Sequence, residues 1–240
     1  MEFRLPAGSF PGLAEFLAAD LAFELGAGIS VPASVLCLSC WMRLEPADSM
    51  GRLERSGAAG ETVPLIAPFF TNDELLELVR FLKYSGGRSA VPALGWWMAK
   101  ALGDYLESLP AHASAAPLLV PVPLHPSREK SRGYNQAFLL AREVAARLGI
   151  SVESRMFCRI RNTKSQSKLD DSERTTNVAG AFGLLREDLA RTRNIILVDD
   201  LVTTGGTALA CIAALEKAPI ASIAVLSAGR VRAPCRFSGV

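Results

Sequence analysis

The sequence predicts an α/β fold, a mostly parallel central sheet flanked by helices, and three observations carry that reading. Short apolar runs alternate with stretches that bear a helical apolar stripe. The run Ile195-Ile196-Leu197-Val198 is apolar throughout and mostly β-branched, as a buried strand requires. It leads into Asp199-Asp200-Leu201-Val202-Thr203-Thr204-Gly205-Gly206-Thr207 and then a helical pattern. Two carboxylates and a Thr/Gly loop thus fall at the carboxyl end of a strand, where ligands of open α/β sheets sit.

The elements follow in order. Leu13 to Leu25 suits a short amphipathic helix, and Ala47 to Glu61 is polar and Gly-containing, a loop. Thr71-Asn72-Asp73-Glu74 is a helix start, with polar capping groups and early acids. Leu75, Leu78, Val79 and Leu82 then make one stripe, with Arg80 and Lys83 off it. A second helix spans Ala93 to Leu109, with Trp96 and Trp97 packing it. Leu118 to Val122 is a strand between prolines. Tyr134, Phe138, Ala141, Ala145 and Leu148 stripe a third helix, which Gly149 ends as a C-terminal cap. Ser154 to Ile160 is a weaker strand. Ile195 to Val198 and Ser222 to Leu226 are further strands, with a helix from Gly205 to Lys217 between them; Cys211 in that helix reads as core. The chain divides into an N-terminal segment, 1–70, and a main domain, 71–240.

Composition excludes several classes. The 240 residues are half apolar and 21% charged, which is globular rather than disordered. A net charge of +2 gives no whole-protein field for nucleic acid. Glu2, Arg4, Glu15 and Asp20 break up any signal-peptide core, and the uncharged run from Leu25 to Met42 carries Gly26, Gly28 and Pro32, so no membrane insertion is expected. Five unevenly placed cysteines make no disulfide framework, and a cytoplasmic location follows.

The chemistry concentrates in three segments. Gly205 and Gly206 permit a tight turn, and Thr203, Thr204 and Thr207 add hydroxyls, which makes a phosphate cradle at a helix N-terminus. No Lys follows the glycines, so this is not a Walker loop. Two carboxylates beside a phosphate cradle suit a ligand with a phosphate and vicinal hydroxyls, such as a ribose 5-phosphate. The thirteen residues from Ile195 to Thr207 resemble the signature of type I phosphoribosyltransferases, which use phosphoribosyl pyrophosphate (PRPP). The resemblance implies that Asp199 and Asp200 hold the ribose hydroxyls, directly or through Mg²⁺, and that Thr203, Thr204, Gly205, Gly206 and Thr207 wrap the 5′-phosphate.

The second segment, Val120-Pro121-Val122-Pro123-Leu124-His125-Pro126-Ser127-Arg128, ends a strand and turns, running on through Lys130 and Arg132 to Gln136. Arg128, Lys130 and Arg132 place three cations before a helix N-terminus, a site for a diphosphate or, on their own merits, a solvated basic turn. Leu124, His125, Arg128, Arg132 and Gln136 are the candidate ligand contacts here, and His125 is given no catalytic role. The third segment, Asn162 to Phe182, is polar and cationic and reads as a mobile loop or a solvated hairpin. Expelling pyrophosphate from ribose C1 leaves a cationic sugar and a growing anion, so a closing loop bearing Lys164, Lys168 and Arg174 would stabilise the leaving group and exclude water.

Together, Pro121-Val122-Pro123-Leu124, Arg132-Gly133-Tyr134-Asn135-Gln136, Gln166-Ser167-Lys168-Leu169, Arg174, Asn177-Val178-Ala179-Gly180-Ala181-Phe182 and the acid-pair loop resemble the ComF family, which includes GntX-like proteins. Leu82-Lys83-Tyr84 is similar to the family's motif before the core domain. The resemblance covers about Thr71 to Ala228. It implies a type I phosphoribosyltransferase fold with a small hood, PRPP and Mg²⁺ as ligands, and transfer of a 5-phosphoribosyl group to an acceptor, a reaction of nucleotide metabolism. Asp199, Asp200, Lys168 and Arg174 are the candidate catalytic residues, with Asp199 and Asp200 also the Mg²⁺ ligands.

The sequence departs from the family at its N-terminus. ComF-like proteins begin with two Cys-x-x-Cys pairs that hold zinc, and Cys37-Leu38-Ser39-Cys40 is the second pair alone. Structural zinc takes four ligands, so a degenerate remnant without zinc is expected; a site shared between two chains of a homodimer, or a redox pair, is the alternative. Two other functions stay open: a binding module that holds PRPP or a nucleotide without transfer, and an adaptor in DNA uptake or recombination. Direct DNA contact would use Arg80, Lys83 and Arg88, or Arg128, Lys130 and Arg132, but no stacking platform accompanies them, which favours protein partners.

Overall fold

The computed structural model describes residues 41–47, 50–54, 62–84, 87–110, 116–160 and 180–232. At its centre run two long parallel strands, β9 (Asn194–Val202) and β10 (Ser222–Arg230), in register from Ser222 opposite Asn194 to Arg230 opposite Val202. On the far side of β9 lie β5 (Leu118–Pro121) and then β6 (Ser151–Val152), both parallel. On the far side of β10, β3 (Thr62–Ile66) and β4 (Phe69–Phe70) pair one after the other along its length, also parallel. Two short antiparallel strands finish that edge: β1 (Glu45–Pro46) on β4 and β2 (Gly51–Glu54) on β3. Among the described residues this sheet has eight strands, and the α/β architecture with mostly parallel strands is as the sequence predicts.

Helices cover both faces. α1 (Asp73–Tyr84) starts where the capping pattern predicts, with Asn72 Oδ1 accepting from the Leu75 N–H at 3.0 Å, and it buries the expected stripe of Leu75, Leu78, Val79 and Leu82. After a 3₁₀ turn (Arg88–Ala90), α2 (Val91–Ser108) packs on α4 (Gln136–Leu148) so closely that a side chain on Gly95 would run into Glu143. Trp97 is buried against Phe69 and Trp96, as expected of core tryptophans. The helix α4 closes at Gly149, whose φ of +67° is the left-handed cap expected of it. These three helices and one face of the sheet enclose one core. The other face carries α6 (Gly206–Leu215), with Cys211 fully buried in it, and a second core.

The structure departs from the sequence reading in four places. The stretch from Ala47 to Glu61, read as loop, contains β2, because Leu53 pairs with Val63 and joins the second core. The weak strand of Ser154 to Ile160 shrinks to β7 (Phe157–Arg159) and leaves the main sheet for a separate antiparallel ribbon with β8 (Phe182–Leu184). The basic turn after Pro126 is itself a short helix, α3 (Pro126–Arg132). Finally, β9 does not stop at Val198 but continues through both aspartates to Val202. A four-residue helix, α5 (Glu187–Ala190), precedes it. The proposed N-terminal helix, Cys37 and Cys40 lie outside the described residues. No helix among the described residues is long and apolar enough to cross a membrane.

Candidate functional site

Side chains alternate across a strand, and β9 uses that alternation to separate its two carboxylates. Ile196 and Val198 face the core under α1, α2 and α4, while Ile195 and Leu197 face the core under α6. The next two residues keep the alternation. Asp199 lines a small open hollow on the α6 side, together with Thr203, Thr204, Gly205, Gly206 and Thr207. Asp200 turns to the opposite face, where it is 3% exposed and meets α1 and α4.

The residues of the expected Thr/Gly loop line this hollow together. Gly205 has a φ of +77°, a conformation that favours glycine, and a Cβ there would sit 2.7 Å from Leu53 Cδ2. The φ strains any other residue, and a Cβ would also push aside the Leu53 side chain, which comes from β2, a strand not expected from the sequence. Gly205 is also the residue at which α6 begins, without a side-chain cap, so the helix presents its positive end beside the threonines. Asp199 Oδ1 accepts from the Asp200 N–H at 2.8 Å. Burial, reinforced by the neighbouring Asp200 charge, pushes the Asp199 carboxyl well above the usual carboxylate range, to about 7. Burial, with the Asp199 charge adding to it, likewise pushes the Cys211 thiol up.

On the other face, Asp200 is held from two directions. Lys83 Nζ lies 2.9 Å from its Oδ1, and Gln136 Nε2 donates to its Oδ2 at 2.7 Å. Arg132 Nη1 in turn donates to Gln136 Oε1. Burial pulls the Lys83 ammonium down, but the Asp200 carboxylate more than offsets this and leaves its pKa raised. Lys83 ends up here because Tyr134, just ahead of α4, donates its hydroxyl to the Leu82 carbonyl and so pins the last turn of α1. The neighbouring Tyr84 is 75% exposed, with the Arg132 guanidinium 5.3 Å from its ring centroid.

The second predicted segment arrives at the same end of the sheet because β5 is the neighbour of β9, with Pro121 opposite Val198. Asn135 ties it down, donating to the Val122 carbonyl at 3.0 Å while its Oδ1 caps α4. Arg132 and Gln136 join the Asp200 network. Arg128 is half-buried, Lys130 is exposed and Leu124 is half-buried. His125 is the N-cap of α3: its Nδ1 lies 2.7 Å from Ser127 Oγ and accepts from the Ser127 N–H at 3.3 Å, a structural task. Lys164, Lys168 and Arg174 lie outside the described residues.

Two site residues escaped the sequence reading. Lys83 looks in the sequence like one of a cation cluster with Arg80 and Arg88, yet its charge is spent on Asp200, and Arg88 sits 4.8 Å over the Tyr134 ring. Its only signal was its position off the apolar stripe in the last turn of α1. Arg159, at the end of β7, is buried and packs over Phe182; burial first, then the Arg128 charge, lowers its pKa, and it also feels Asp199. Only the ribbon geometry brings it there.

Mg²⁺, which the resemblance implies, wants six oxygen donors in near-octahedral array, usually one or two carboxylates plus waters and substrate phosphates. Asp200 does not fit that role, since it is buried with an ammonium on one oxygen and an amide on the other, which leaves no room for a hydrated ion. Among the described residues no group of three or more His, Cys, Asp or Glu side chains could hold a metal ion.

The chain resembles curated proteins over part of its length. It is 37% identical over 90 residues to competence protein F of Haemophilus influenzae, covering 37% of this chain and 39% of that protein. It is 40% identical over 109 residues to competence protein ComFC of Bacillus subtilis, covering 44% of this chain and 41% of that one. The chain thus spans about two fifths of the length of these relatives, and the ComF resemblance read from its motifs is borne out. No family model matches the chain. Among solved structures, the hypoxanthine-guanine phosphoribosyl transferase of L. donovani overlaps 58% of this chain and 71% of its own, at 19% identity and a TM-score of 0.35, too loose a likeness to carry an argument.

Proposed function

We propose that this ComF-like chain has a type I phosphoribosyltransferase fold and binds the ribose 5-phosphate end of PRPP in the hollow between Asp199 and the Thr203–Thr207 loop. One observation carries the reading: a carboxylate and a glycine-hinged threonine loop share one open hollow at the start of α6. The loop and the helix end suit a phosphate, and Asp199 suits ribose hydroxyls. The reaction that fits is displacement at ribose C1. The C1–O bond to the diphosphate breaks, the diphosphate leaves with the electron pair, and a lone pair of the acceptor forms the new bond to C1. Arg128, Arg132 and Arg159 supply positive charge at the same end of the sheet as the departing anion. Lys168 and Arg174 belong to the proposed closing loop. Asp199 orients the ribose and takes no proton in this scheme. Any Mg²⁺ comes with the diphosphate of the substrate rather than in a protein cage.

The test is calorimetric titration of PRPP, in buffer containing Mg²⁺, into the wild type and Asp199→Asn. Losing a charge-assisted hydrogen bond to the sugar should weaken binding by at least about tenfold. A wild type that takes up no PRPP would sink the proposal. Binding without diphosphate release for any acceptor tried would leave the binding-module reading in its place.

A second reading draws on the names of the relatives, which are competence proteins. In it, the chain is an adaptor in DNA uptake or natural transformation. Its cation clusters give it little support: Lys83 is committed to Asp200, and Arg132 to Gln136 and the Tyr84 ring. A single-strand affinity that falls steeply with salt would revive direct DNA contact.

A further inference from the structure

We infer that the Lys83 ammonium takes the place on Asp200 that a divalent cation would occupy, so that the ribose-phosphate site is assembled without a metal held by the protein. This rests on the reading of the hollow given above. The two carboxylates, adjacent in sequence, do not face one ligand: Asp199 lines the hollow, while Asp200 faces α1 and α4. Asp200 is buried, and a buried carboxylate needs a countercharge and filled lone pairs. Lys83 supplies the charge at 2.9 Å and Gln136 fills the second oxygen at 2.7 Å, with Arg132 fixing the Gln136 amide from behind. An ammonium is a compact point charge with three donors, well suited to stand where a small hard cation would. It also lies in the last turn of α1, where the helix dipole favours a cation. Asp200 holds β9, α1 and α4 in one arrangement and so sets the position of its neighbour Asp199. Lys83 is therefore a positioning residue, acting through Asp200.

The experiment titrates Mn²⁺, a paramagnetic substitute for Mg²⁺, into the ligand-free full chain and follows the free ion by electron paramagnetic resonance. Wild type, Lys83→Gln and the double variant Lys83→Gln/Asp200→Asn are compared. Lys83→Gln strands a buried carboxylate and should gain one ion, bound at least about tenfold more tightly than anything in the other two. A wild type that holds an ion absent from the double variant overturns the inference, as does a Lys83→Gln variant that gains none. A second arm titrates ribose 5-phosphate, which has no diphosphate to carry a metal, in EDTA and in Mg²⁺. Wild-type affinity should be the same in both, while Lys83→Gln should lose at least about tenfold in EDTA and regain it in Mg²⁺. A wild type that binds the sugar phosphate only with Mg²⁺ overturns the inference. A wild type that binds it in neither buffer overturns the reading of the hollow and the ligand half of this inference, and the Mn²⁺ arm still decides what Lys83 does. Should Lys83→Gln fail to fold, Lys83→Arg keeps the charge. It should match the wild type in Mn²⁺ uptake, and an extra ion there would count against the inference.

Discussion

Asp199 and Asp200 are the same residue type, one position apart, on opposite faces of β9. Asp200 is compensated by Lys83 and Gln136, whereas burial and the adjacent Asp200 charge raise the Asp199 carboxyl to about 7. A carboxyl raised in the folded state binds more protons there than in the unfolded chain, between its ordinary value near 4 and about 7. Stability therefore falls as pH rises through that window, and the loss is complete above it. Asn cannot ionise and keeps an oxygen for the Asp200 N–H. Thermal melts of Asp199→Asn against wild type should coincide near pH 4, separate as pH rises, and show a gain of several degrees for the variant by pH 8. The same variant should bind PRPP less well, the usual trade between a stable site and a working one. Melting differences that do not change with pH would show that Asp199 ionises as freely as an exposed carboxylate.

At the scale of elements, the position of α1 decides whether Lys83 reaches Asp200, and α1 sits where it does because β10 has no side chain at Gly229. A Cβ there would meet Leu75 Cδ2 at 2.2 Å and Leu201 Cδ2 at 3.0 Å. Gly229→Ala should lift α1 or force Leu75 from its rotamer, costing about 1–3 kcal/mol by overpacking. For a chain of this size that is a fall of roughly 2–12 °C in Tm, readable by scanning calorimetry. Combining it with Leu75→Ala should cost less than the two changes added, because the closer of the two contacts is then gone and only Leu201 remains. The sequence told of α1 but not of this contact. Its stripe and its Asn72 cap are local signals, and both are seen in the structure. The Gly149 stop of α4 was legible for the same reason, but its predicted stripe was misplaced: the buried face is Ala137, Leu140, Ala141 and Val144, while Phe138, Ala145 and Leu148 are only half-buried. What escaped depends on partners distant in the chain. Leu53 shows no strand alternation with its neighbours and reads as part of a loop until Val63 pairs with it. The extension of β9 through two acids is hidden by their polarity, although Leu201 and Val202 after them were a sign that the strand went on. That extension is what sends the two carboxylates to opposite faces. The chemistry of the site was legible, and its division between Asp199 and Asp200 was not.

At the scale of the whole molecule, β9 and β10 belong to both cores at once. Ile196, Val198, Ala224 and Leu226 pack on one side, and Ile195, Leu197 and Val225 on the other. The candidate hollow lies at the end of β9 and opens α6, so a ligand there touches the strand that both cores share. Local opening of the site without loosening β9 is then costly, and a ligand bound only by the folded chain should raise the stability of the whole sheet-and-helix unit. At a hundredfold excess over Kd the gain is about 2.7 kcal/mol, roughly 5–10 °C in Tm for a chain of this length. PRPP or ribose 5-phosphate should therefore shift the calorimetric transition of the described fold as one peak, and Asp199→Asn should lose most of the shift. The binding module and the enzyme both require this shift, whereas an adaptor that has kept the fold without its ligand would melt at the same temperature with or without it. A shift confined to one of two separate transitions would mean that the two cores do not unfold together, and that β9 does not couple the site to the molecule as a whole.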